Sequence, residues 1–229
     1  MKKKKCSKCA ACLYKSEPAQ NLNQQELEIL GQNSVEVVFD KKETIFKQDA
    51  LSSNIIYLKE GMIKILIKGP QRTQILKLKK APCYLGLPTT MGDKVNHYSA
   101  VAIEKTTACF IDINTFKELL DKNKDFSYGI ILELCRSELD QFNRYINLVQ
   151  TQVFGRFAKT LLSFSDEIYQ SDEFTLPLTR SEMADLIYTS RETVSRLFSE
   201  LAKENIIQIN DKNVRIIDKS KLREIGEKG

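Results

Sequence analysis

The chain has few of the features that mark membrane proteins and histidine-built metal enzymes. None of its 229 residues lies in a run approaching the roughly 20 consecutive apolar residues that a membrane-spanning helix needs. Its only histidine, His97, lies in a polar stretch, whereas metal centres built on imidazole need several. This scarcity excludes the usual histidine-built metal site and disfavours a Ser-His-Asp catalytic site. We therefore expect no membrane partner and no enzyme.

The N-terminus is basic and leads directly into cysteines without an apolar segment, so it lacks the pattern of a signal peptide. We expect a cytoplasmic protein, in which the six cysteines normally stay reduced. The formal net charge of +5 originates in residues 1–15, which hold six lysines and no acidic residue. Without them, 29 basic side chains face 30 acidic ones. Binding to nucleic acid must therefore be argued from where charges lie, not from their sum.

The pattern of residues 178–201 predicts two short helices joined by a tight turn. Thr179 and Glu182 are spaced as a capping box at the start of the first helix, and Thr189 and Glu192 repeat the spacing at the second. Apolar residues follow each box at helical spacing. They are Met183, Leu186, Ile187, Val194, Leu197, Phe198 and Leu201. Two capped helices around a short turn form a helix-turn-helix.

The outer face of the second helix carries the chemistry for reading DNA. Arginine donates two hydrogen bonds to guanine, and glutamate accepts one from cytosine; Arg191, Glu192 and Arg196 lie on the first turns, which meet base edges. The alternative is a solvated face with a Glu192–Arg196 pair, but the caps, the turn and a downstream hairpin favour DNA. The predicted DNA-contacting residues are Thr179, Arg180, Ser190, Arg191, Glu192, Ser195, Arg196 and Ser199.

A short hairpin is predicted after the helix-turn-helix. Two β-rich runs, Ile206–Ile209 and Val214–Ile217, flank the turn Asn210-Asp211-Lys212-Asn213. This is the arrangement of a winged helix-turn-helix. Lys212 and Arg215 could contact phosphates, which position a protein on DNA without specifying sequence.

A β-rich region precedes the helical part of the chain. After a short helix from Asn21, seven short strands are separated by turn residues such as Glu60-Gly61 and Gly69-Pro70. The predicted strands are Val35–Phe39, Thr44–Phe46, Ile55–Lys59, Met62–Lys68, Gln74–Lys79, Tyr98–Ile103 and Ala108–Ile113. Such spacing is typical of a sandwich or jelly roll. One alternative function, a jelly-roll enzyme with an accessory DNA-binding domain, is disfavoured because no convergent catalytic set is visible.

A long helix follows, and its apolar residues recur in steps of 3 and 4. They are Leu132, Cys135, Leu139, Phe142, Ile146, Val149 and Val153. This a/d pattern favours a parallel partner helix over packing on the chain's own sheet, and hence a homodimer. Two-fold related recognition helices would bind an inverted repeat in double-stranded DNA. A further helix is predicted from Val153 to about Tyr169.

Three cysteines near the N-terminus are spaced as overlapping Cys-x-x-Cys pairs: Cys6, Cys9 and Cys12. This spacing suits thiolates that close on one metal centre, although a fourth ligand must come from elsewhere. Neighbouring lysines favour the thiolate. The alternative is a flexible, solvated tail with incidental thiols.

The order of elements resembles the Crp/Fnr family of bacterial transcription regulators, over nearly the whole chain from Asn21. The sharpest likeness is the segment 190–196, Ser-Arg-Glu-Thr-Val-Ser-Arg. It implies guanine contacts from Arg191 and Arg196, a cytosine contact from Glu192, and RNA polymerase as a partner. The expected fold is α+β: a basic cysteine-containing tail (1–20), a cyclic-nucleotide-binding-like β-roll sensor domain (21–125), a dimerisation helix (126–153) and a winged helix-turn-helix (154–229).

Two departures from the family's pattern concern the effector and the turn. Cyclic-nucleotide members carry Gly-Glu and, some ten residues on, Arg-Ser to hold the ribose and cyclic phosphate. Here Leu87 and Pro88 follow Gly86, and the arginine position falls near His97. A buried phosphate without a cation is costly, so cyclic AMP is disfavoured and the effector is unknown. Tyr188 replaces a turn glycine, which costs about 1 kcal/mol if its φ is positive.

The Fnr branch of the family holds a 4Fe–4S cluster on three N-terminal cysteines and one cysteine of the β-roll. Cys109 aligns with that internal ligand. The gap between Cys9 and Cys12 is shorter than the family's usual last gap, and cyclic-nucleotide members can carry a cysteine at the Cys109 position without a cluster. An iron–sulfur oxygen or redox sensor is therefore the alternative prediction.

Overall fold

The computed structural model describes residues 2–5 and 9–229, so Cys6 lies outside the described residues. Contacts divide the chain into two units, residues 1–137 and 138–229, with the boundary inside a long helix. The order of strands, long helix and mixed C-terminal part confirms the predicted α+β fold. Within the described ranges, every helix is too short or too polar to cross a membrane.

The first unit contains two antiparallel sheets. Its strands are β1 Lys2–Lys5, β2 Ser34–Phe39, β3 Thr44–Phe46, β4 Asn54–Glu60, β5 Met62–Lys68, β6 Thr73–Lys80, β7 Cys83–Leu85, β8 Ser99–Ala102 and β9 Thr106–Asp112. One sheet has the order β1-β2-β9-β4-β7 and the other β3-β8-β5-β6. The helices are α1 Gln24–Gln32, α2 Leu87–Met91 and α3 Ile113–Lys122, with a 3-10 turn at Pro18–Asn21.

All seven predicted strands are present, and β3 and β5 have the predicted bounds. The prediction missed β1 and β7. Four consecutive lysines do not resemble a strand, because lysine is depleted in strands. However, β1 pairs antiparallel with β2 through its backbone, and ladder hydrogen bonds need no particular side chain. The segment 1–20, predicted as a tail, therefore contributes an edge strand to the first sheet.

Strand β4 is buried on both faces and separates two hydrophobic clusters. Ile56 and Leu58 face the cluster between the two sheets. Ile55 and Tyr57 face the second cluster, which includes side chains of α1, α3 and the following helix. Tyr57 lies directly opposite Cys109 of β9, so the same face carries both. This alternation brings Cys109 to the side of the sheet on which the N-terminal cysteine segment packs.

The long helix, α4, spans Lys124–Gln150, and α5 follows at Val153–Ser163. The prediction that Val153 continues the long helix is wrong. Gln152 adopts an extended conformation, with φ −66° and ψ 166°, and serves as the N-cap of α5. Val153 is therefore the first residue of the next helix. The predicted heptad pattern ran across this break because neither glycine nor proline marks the end of the helix in the sequence.

The second unit forms the predicted winged helix-turn-helix and contains further elements that were not predicted. After α5, a π-helical turn covers Phe164–Tyr169, followed by β10 Glu173–Thr175, α6 Arg180–Ile187, α7 Arg191–Lys203, β11 Ile207–Asn210, β12 Asn213–Ile216 and α8 Lys219–Lys228. The predicted hairpin is β11–β12, and β10 extends it to a sheet of order β10-β12-β11. The Phe157 and Phe198 rings meet edge to face, with centroids 4.7 Å apart, and join α5 to α7.

Candidate nucleic-acid interface and cysteine pocket

The first helix of the helix-turn-helix starts as predicted, whereas the second starts one residue later. Thr179 accepts from the Glu182 N–H, and Glu182 accepts from the Thr179 N–H, so the first capping box is confirmed. The second N-cap is Ser190, which accepts from the Thr193 N–H. The box predicted at Thr189 is therefore wrong. The Thr189 N–H instead donates to the Ala184 carbonyl and closes the C-terminus of α6.

Tyr188 occupies the left-handed region at the end of α6, with φ 58° and ψ 58°. Its N–H donates to the carbonyl of Asp185. Together with the Thr189 bond, this forms a Schellman motif, which usually places glycine at the left-handed position. A Cβ there costs about 1–2 kcal/mol. The tight turn between the two helices is thus built on a strained tyrosine.

The predicted reading face of α7 is open to solvent. Its exposed residues are Arg191, Glu192, Ser195, Arg196 and Ser199, while Val194, Leu197, Phe198 and Leu201 are buried. Ser195 and Ser199 donate to carbonyls one turn earlier, which leaves their oxygens as acceptors. The pKa of Glu192 is lowered by its own backbone N–H and by Ser190. Glu192 is therefore ionised at neutral pH and acts only as an acceptor.

The remaining predicted contact residues lie beside this face and on the hairpin. Thr179 and Ser190 are exposed N-caps, whereas Arg180 is half-buried. Lys212 and Arg215 are exposed on the hairpin, and Arg215 lies 3.7 Å from the carboxylate of Glu173. The structure thus places the predicted DNA contacts on one two-helix unit and its hairpin.

The predicted dimer seam lies on the exposed side of α4. Leu139, Phe142 and Val149 expose 60%, 57% and 63% of their surface, respectively. Cys135 and Ile146 are exposed on the same stripe, and Leu132 is half-buried. Apolar residues this exposed, at a/d spacing, are unusual on a surface that faces water alone.

Three of the predicted cysteines line one pocket of the first unit. Cys9 and Cys12 come from the N-terminal segment, and Cys109 comes from β9. The phenol of Tyr57 donates to the Tyr14 carbonyl at 2.7 Å and holds this segment against the sheet. Among residues 2–5 and 9–229, no three His, Cys, Asp or Glu side chains are grouped closely enough to hold a metal ion.

A lysine that the sequence did not single out also lines the pocket. Lys59 Nζ lies 2.5 Å from a Glu36 carboxylate oxygen. Burial opposes its charge, but the Glu36 hydrogen bond and the nearby Cys109 and Cys12 outweigh this and raise the pKa of Lys59. Its cation therefore lies in the electrostatic range of two thiols. The alternation of side chains along the strand could have identified Lys59, because Lys59 follows Tyr57 by two residues and therefore lies on the same face.

Tyr98, which the sequence did not single out, lies beside Gly86 in the β-roll. The Gly86 N–H donates to the Tyr98 hydroxyl at 3.1 Å. The Tyr98 ring packs on Phe46, with centroids 5.4 Å apart, and burial raises the pKa of Tyr98. His97, its neighbour, points to solvent and pairs with Asp93 at 2.6 Å. The Gly86 amide is thus already bonded to a neutral side chain of the same domain.

Family models match both units. The model of the cyclic nucleotide-binding domain matches residues 36–123. The model of the Crp-like helix-turn-helix domain matches residues 155–225. The two matches cover the β-roll and the winged helix-turn-helix described above.

Curated proteins and solved structures agree with these matches. The Bordetella pertussis transcriptional regulatory protein btr is 26% identical over 232 residues, covering 96% of this chain and 92% of btr. The Escherichia coli cAMP-activated global transcriptional regulator CRP is 24% identical, covering 77% and 86%. The Stutzerimonas stutzeri transcriptional activator FnrA is 24% identical, covering 94% and 88%.

The fold is similar to FixK2 from Bradyrhizobium japonicum, with TM-score 0.76, 16% identity and coverage of 84% and 96%. It is also similar to a CRP-family regulator from Thermus thermophilus, with TM-score 0.73, 20% identity and coverage of 84% and 97%. The three curated relatives are named as transcription regulators. From the two domain matches, their order along the chain and these likenesses, we conclude that the chain belongs to the Crp/Fnr family of transcription regulators.

Proposed function

We propose that the protein is a homodimeric, sequence-specific DNA-binding regulator that reads an inverted repeat through α7. The observation that carries this proposal is the exposed face of α7, on which two arginines and an ionised glutamate lie beyond a capped turn. Arg191 and Arg196 match guanine, and Glu192 matches cytosine. Thr179, Arg180, Ser190, Ser195 and Ser199 add candidate contacts. RNA polymerase is a further proposed partner, by family likeness.

Dimerisation through α4 is part of this proposal. The stripe from Leu132 to Val149 keeps a/d spacing and large exposed apolar side chains, which a second copy of the helix would cover. Two-fold symmetry would then place two α7 helices on one face of the DNA, with half-site centres about 10–11 base pairs apart. Family likeness favours a TGTGA-type half-site, because the TTGAT type lacks an arginine at the Arg191 position.

A titration with the Arg196→Ala variant tests the proposal. Arg196 is exposed on the reading face, so its loss should weaken binding to the cognate duplex by roughly 1–3 kcal/mol and leave binding to random DNA nearly unchanged. Fluorescence anisotropy with both duplexes at one salt concentration measures the two affinities. Lys203→Ala, at the far end of α7, is the matched control. Equal losses on cognate and random DNA would contradict the assignment.

For the β-roll, we propose an effector other than cyclic AMP. The Gly86 amide is bonded to Tyr98, and Leu87 and Pro88 stand where the family has an acidic contact. A cyclic phosphate would displace that bond and find no arginine near His97. Isothermal titration with cyclic AMP at millimolar concentration should give no binding heat. Saturable binding of cyclic AMP, lost when cyclic GMP competes for the site, would contradict this proposal.

A second candidate is an iron–sulfur oxygen or redox sensor. It is supported by Cys9, Cys12 and Cys109 lining one pocket beside the cation of Lys59. Thiolates are the usual ligands of such clusters, and the fourth would be Cys6. A bound cluster would supply oxygen-sensitive redox chemistry. Anaerobic purification should then give a brown protein that contains iron and sulfide, whereas the Cys109→Ser variant should be colourless. A colourless, iron-free anaerobic protein would exclude this candidate.

A further inference from the structure

Arg180 is packed face-on against the recognition helix. It is the first residue of α6, and its guanidinium carbon lies 3.4 Å from the centroid of the Phe198 ring of α7. Phe198 is 2% exposed, and its ring also meets Phe157 of α5 edge to face. One column of side chains therefore joins α6, α7 and α5, with a planar cation at its α6 end.

The Arg180 guanidinium is only partly exposed to water. Its Nη1 atom is buried without a hydrogen-bond partner. Burial lowers the pKa of Arg180, and the charge of Asp211 in the hairpin turn opposes that shift. A cation held in this way is stabilised by the ring beneath it. Its planar shape matters, because a lysine ammonium can lie over a ring as a point charge but cannot stack on it plane to plane.

Phe198 lies on the same helix as the predicted base-contacting side chains. Arg191 lies seven residues before Phe198, which is about two turns along the same side of α7. Any rotation of α7 about its axis would move Arg191 and its neighbour Glu192 away from their base edges. Arg180 covers the face of the Phe198 ring, and a contact of this kind opposes such a rotation.

We propose that Arg180 is a positioning residue, which sets the orientation of the recognition helix through the face of Phe198. This inference rests on the proposed function. A charge contact between Arg180 and a phosphate would be preserved in Arg180→Lys. The stacking role would be lost, because lysine keeps the charge and removes the plane.

The test compares Arg180→Lys, Phe198→Leu and the double variant, with Phe157→Leu as a matched control. Phe157→Leu removes a buried ring of the same column without changing either Arg180 or Phe198. The probe is a duplex with two inverted TGTGA half-sites about 11 base pairs apart, centre to centre, against a scrambled duplex. Binding is measured at several salt concentrations, on protein shown to be folded by circular dichroism.

We expect both single variants to bind the cognate duplex about tenfold more weakly, in keeping with the strength of a stacked cation–π pair. Their affinity for the scrambled duplex should change little. The double variant should lose no more than either single one, since both remove the same contact. The salt dependence of Arg180→Lys should equal that of the wild type. Phe157→Leu should lower the melting temperature and keep the cognate preference.

Wild-type behaviour of Arg180→Lys, or additive losses in the double variant, would overturn the inference. The Arg196→Ala variant distinguishes failure of the positioning role from failure of the proposed function. If Arg196→Ala loses discrimination and Arg180→Lys keeps it, only the positioning role fails. If Arg196→Ala also keeps it, the proposed reading surface itself is wrong.

Discussion

The Nε of Arg156 donates to the carbonyl oxygen of Ile187 at 3.0 Å, which links α5 to the last residue of α6. Nη1 of the same guanidinium donates to the carbonyls of Leu148 and Thr151 at the end of α4. One cation thus binds the C-terminal ends of two helices, where free carbonyls and the helix dipoles favour positive charge. The position of the helix-turn-helix turn is thereby tied to the end of the proposed dimer helix.

Replacing Arg156 with methionine should destabilise the protein because it removes these bonds from partly buried carbonyls. We expect the free energy of unfolding to fall by about 1–3 kcal/mol, measured by urea denaturation. Arg223→Met is the matched control, because Arg223 contacts Asp166 at 3.5 Å on the surface. Its effect should stay below about 0.5 kcal/mol. Equal effects of the two substitutions would show that Arg156 does not clamp the helix ends.

Replacing Tyr188 with glycine should stabilise the protein. Tyr188 holds φ at 58°, and glycine adopts this conformation without the Cβ clash. We expect a gain of about 1 kcal/mol in thermal or urea unfolding. Tyr188→Ala separates the backbone effect from the ring, since alanine keeps the Cβ and should give no gain. A loss of stability in Tyr188→Gly would mean that ring contacts outweigh the strain.

The dimer proposal predicts that charged residues in the seam produce monomers. Phe142 and Ile146 are 57% and 49% exposed on α4, and glutamate at both positions would bury unpaired charge between two helices. Sedimentation velocity should show a dimer for the wild type and a monomer for the double variant. Glutamate at the exposed polar positions Gln141 and Asn143 should leave the dimer intact. An intact dimer in the seam variant would refute this interface.

The acid stability of the second unit should depend on Lys219. Hydrogen bonds from Lys219 lower the pKa values of Asp166 and Asp172 from their ordinary 3.8. Because these pKa values are depressed in the folded state, the stabilisation is present above pH 3.8 and is lost as pH falls through the lower folded values.

Lys219→Gln should therefore be less stable than the wild type at neutral pH, and the difference should shrink to nothing in strong acid. Urea unfolding across this pH range measures it, with the exposed Lys212→Gln as control. A difference that is independent of pH would show that the two aspartates are not coupled to Lys219.

Much of the fold could be predicted from the sequence because local signals agreed with the tertiary structure. Turn residues bounded Thr44–Phe46 and Met62–Lys68, and the Thr179 capping box marked the start of α6. The end of α4 could not be predicted, since the heptad steps continue through Gln152 to Val153 without a helix breaker. The Ser190 cap was missed because Thr189 is drawn into the C-terminal motif of α6.

The site was only partly predictable, because the missed residues act through contacts that are remote in sequence. Arg191, Glu192 and Arg196 follow from helical spacing alone. The bond from Gly86 to Tyr98 depends on how the β-roll folds, and the stack of Arg180 on Phe198 depends on how α6 crosses α7. No periodic pattern encodes such pairs.

In vitro selection from random duplex DNA, with the full chain, tests the central claim most directly. We predict recovery of an inverted repeat with G·C pairs in each half-site and half-site centres about 10–11 base pairs apart. Selection with Arg191→Val should relax the preference at a single base pair of each half-site, because one guanine contact is removed. Recovery of asymmetric sites, or of half-sites without a G·C pair, would contradict the account.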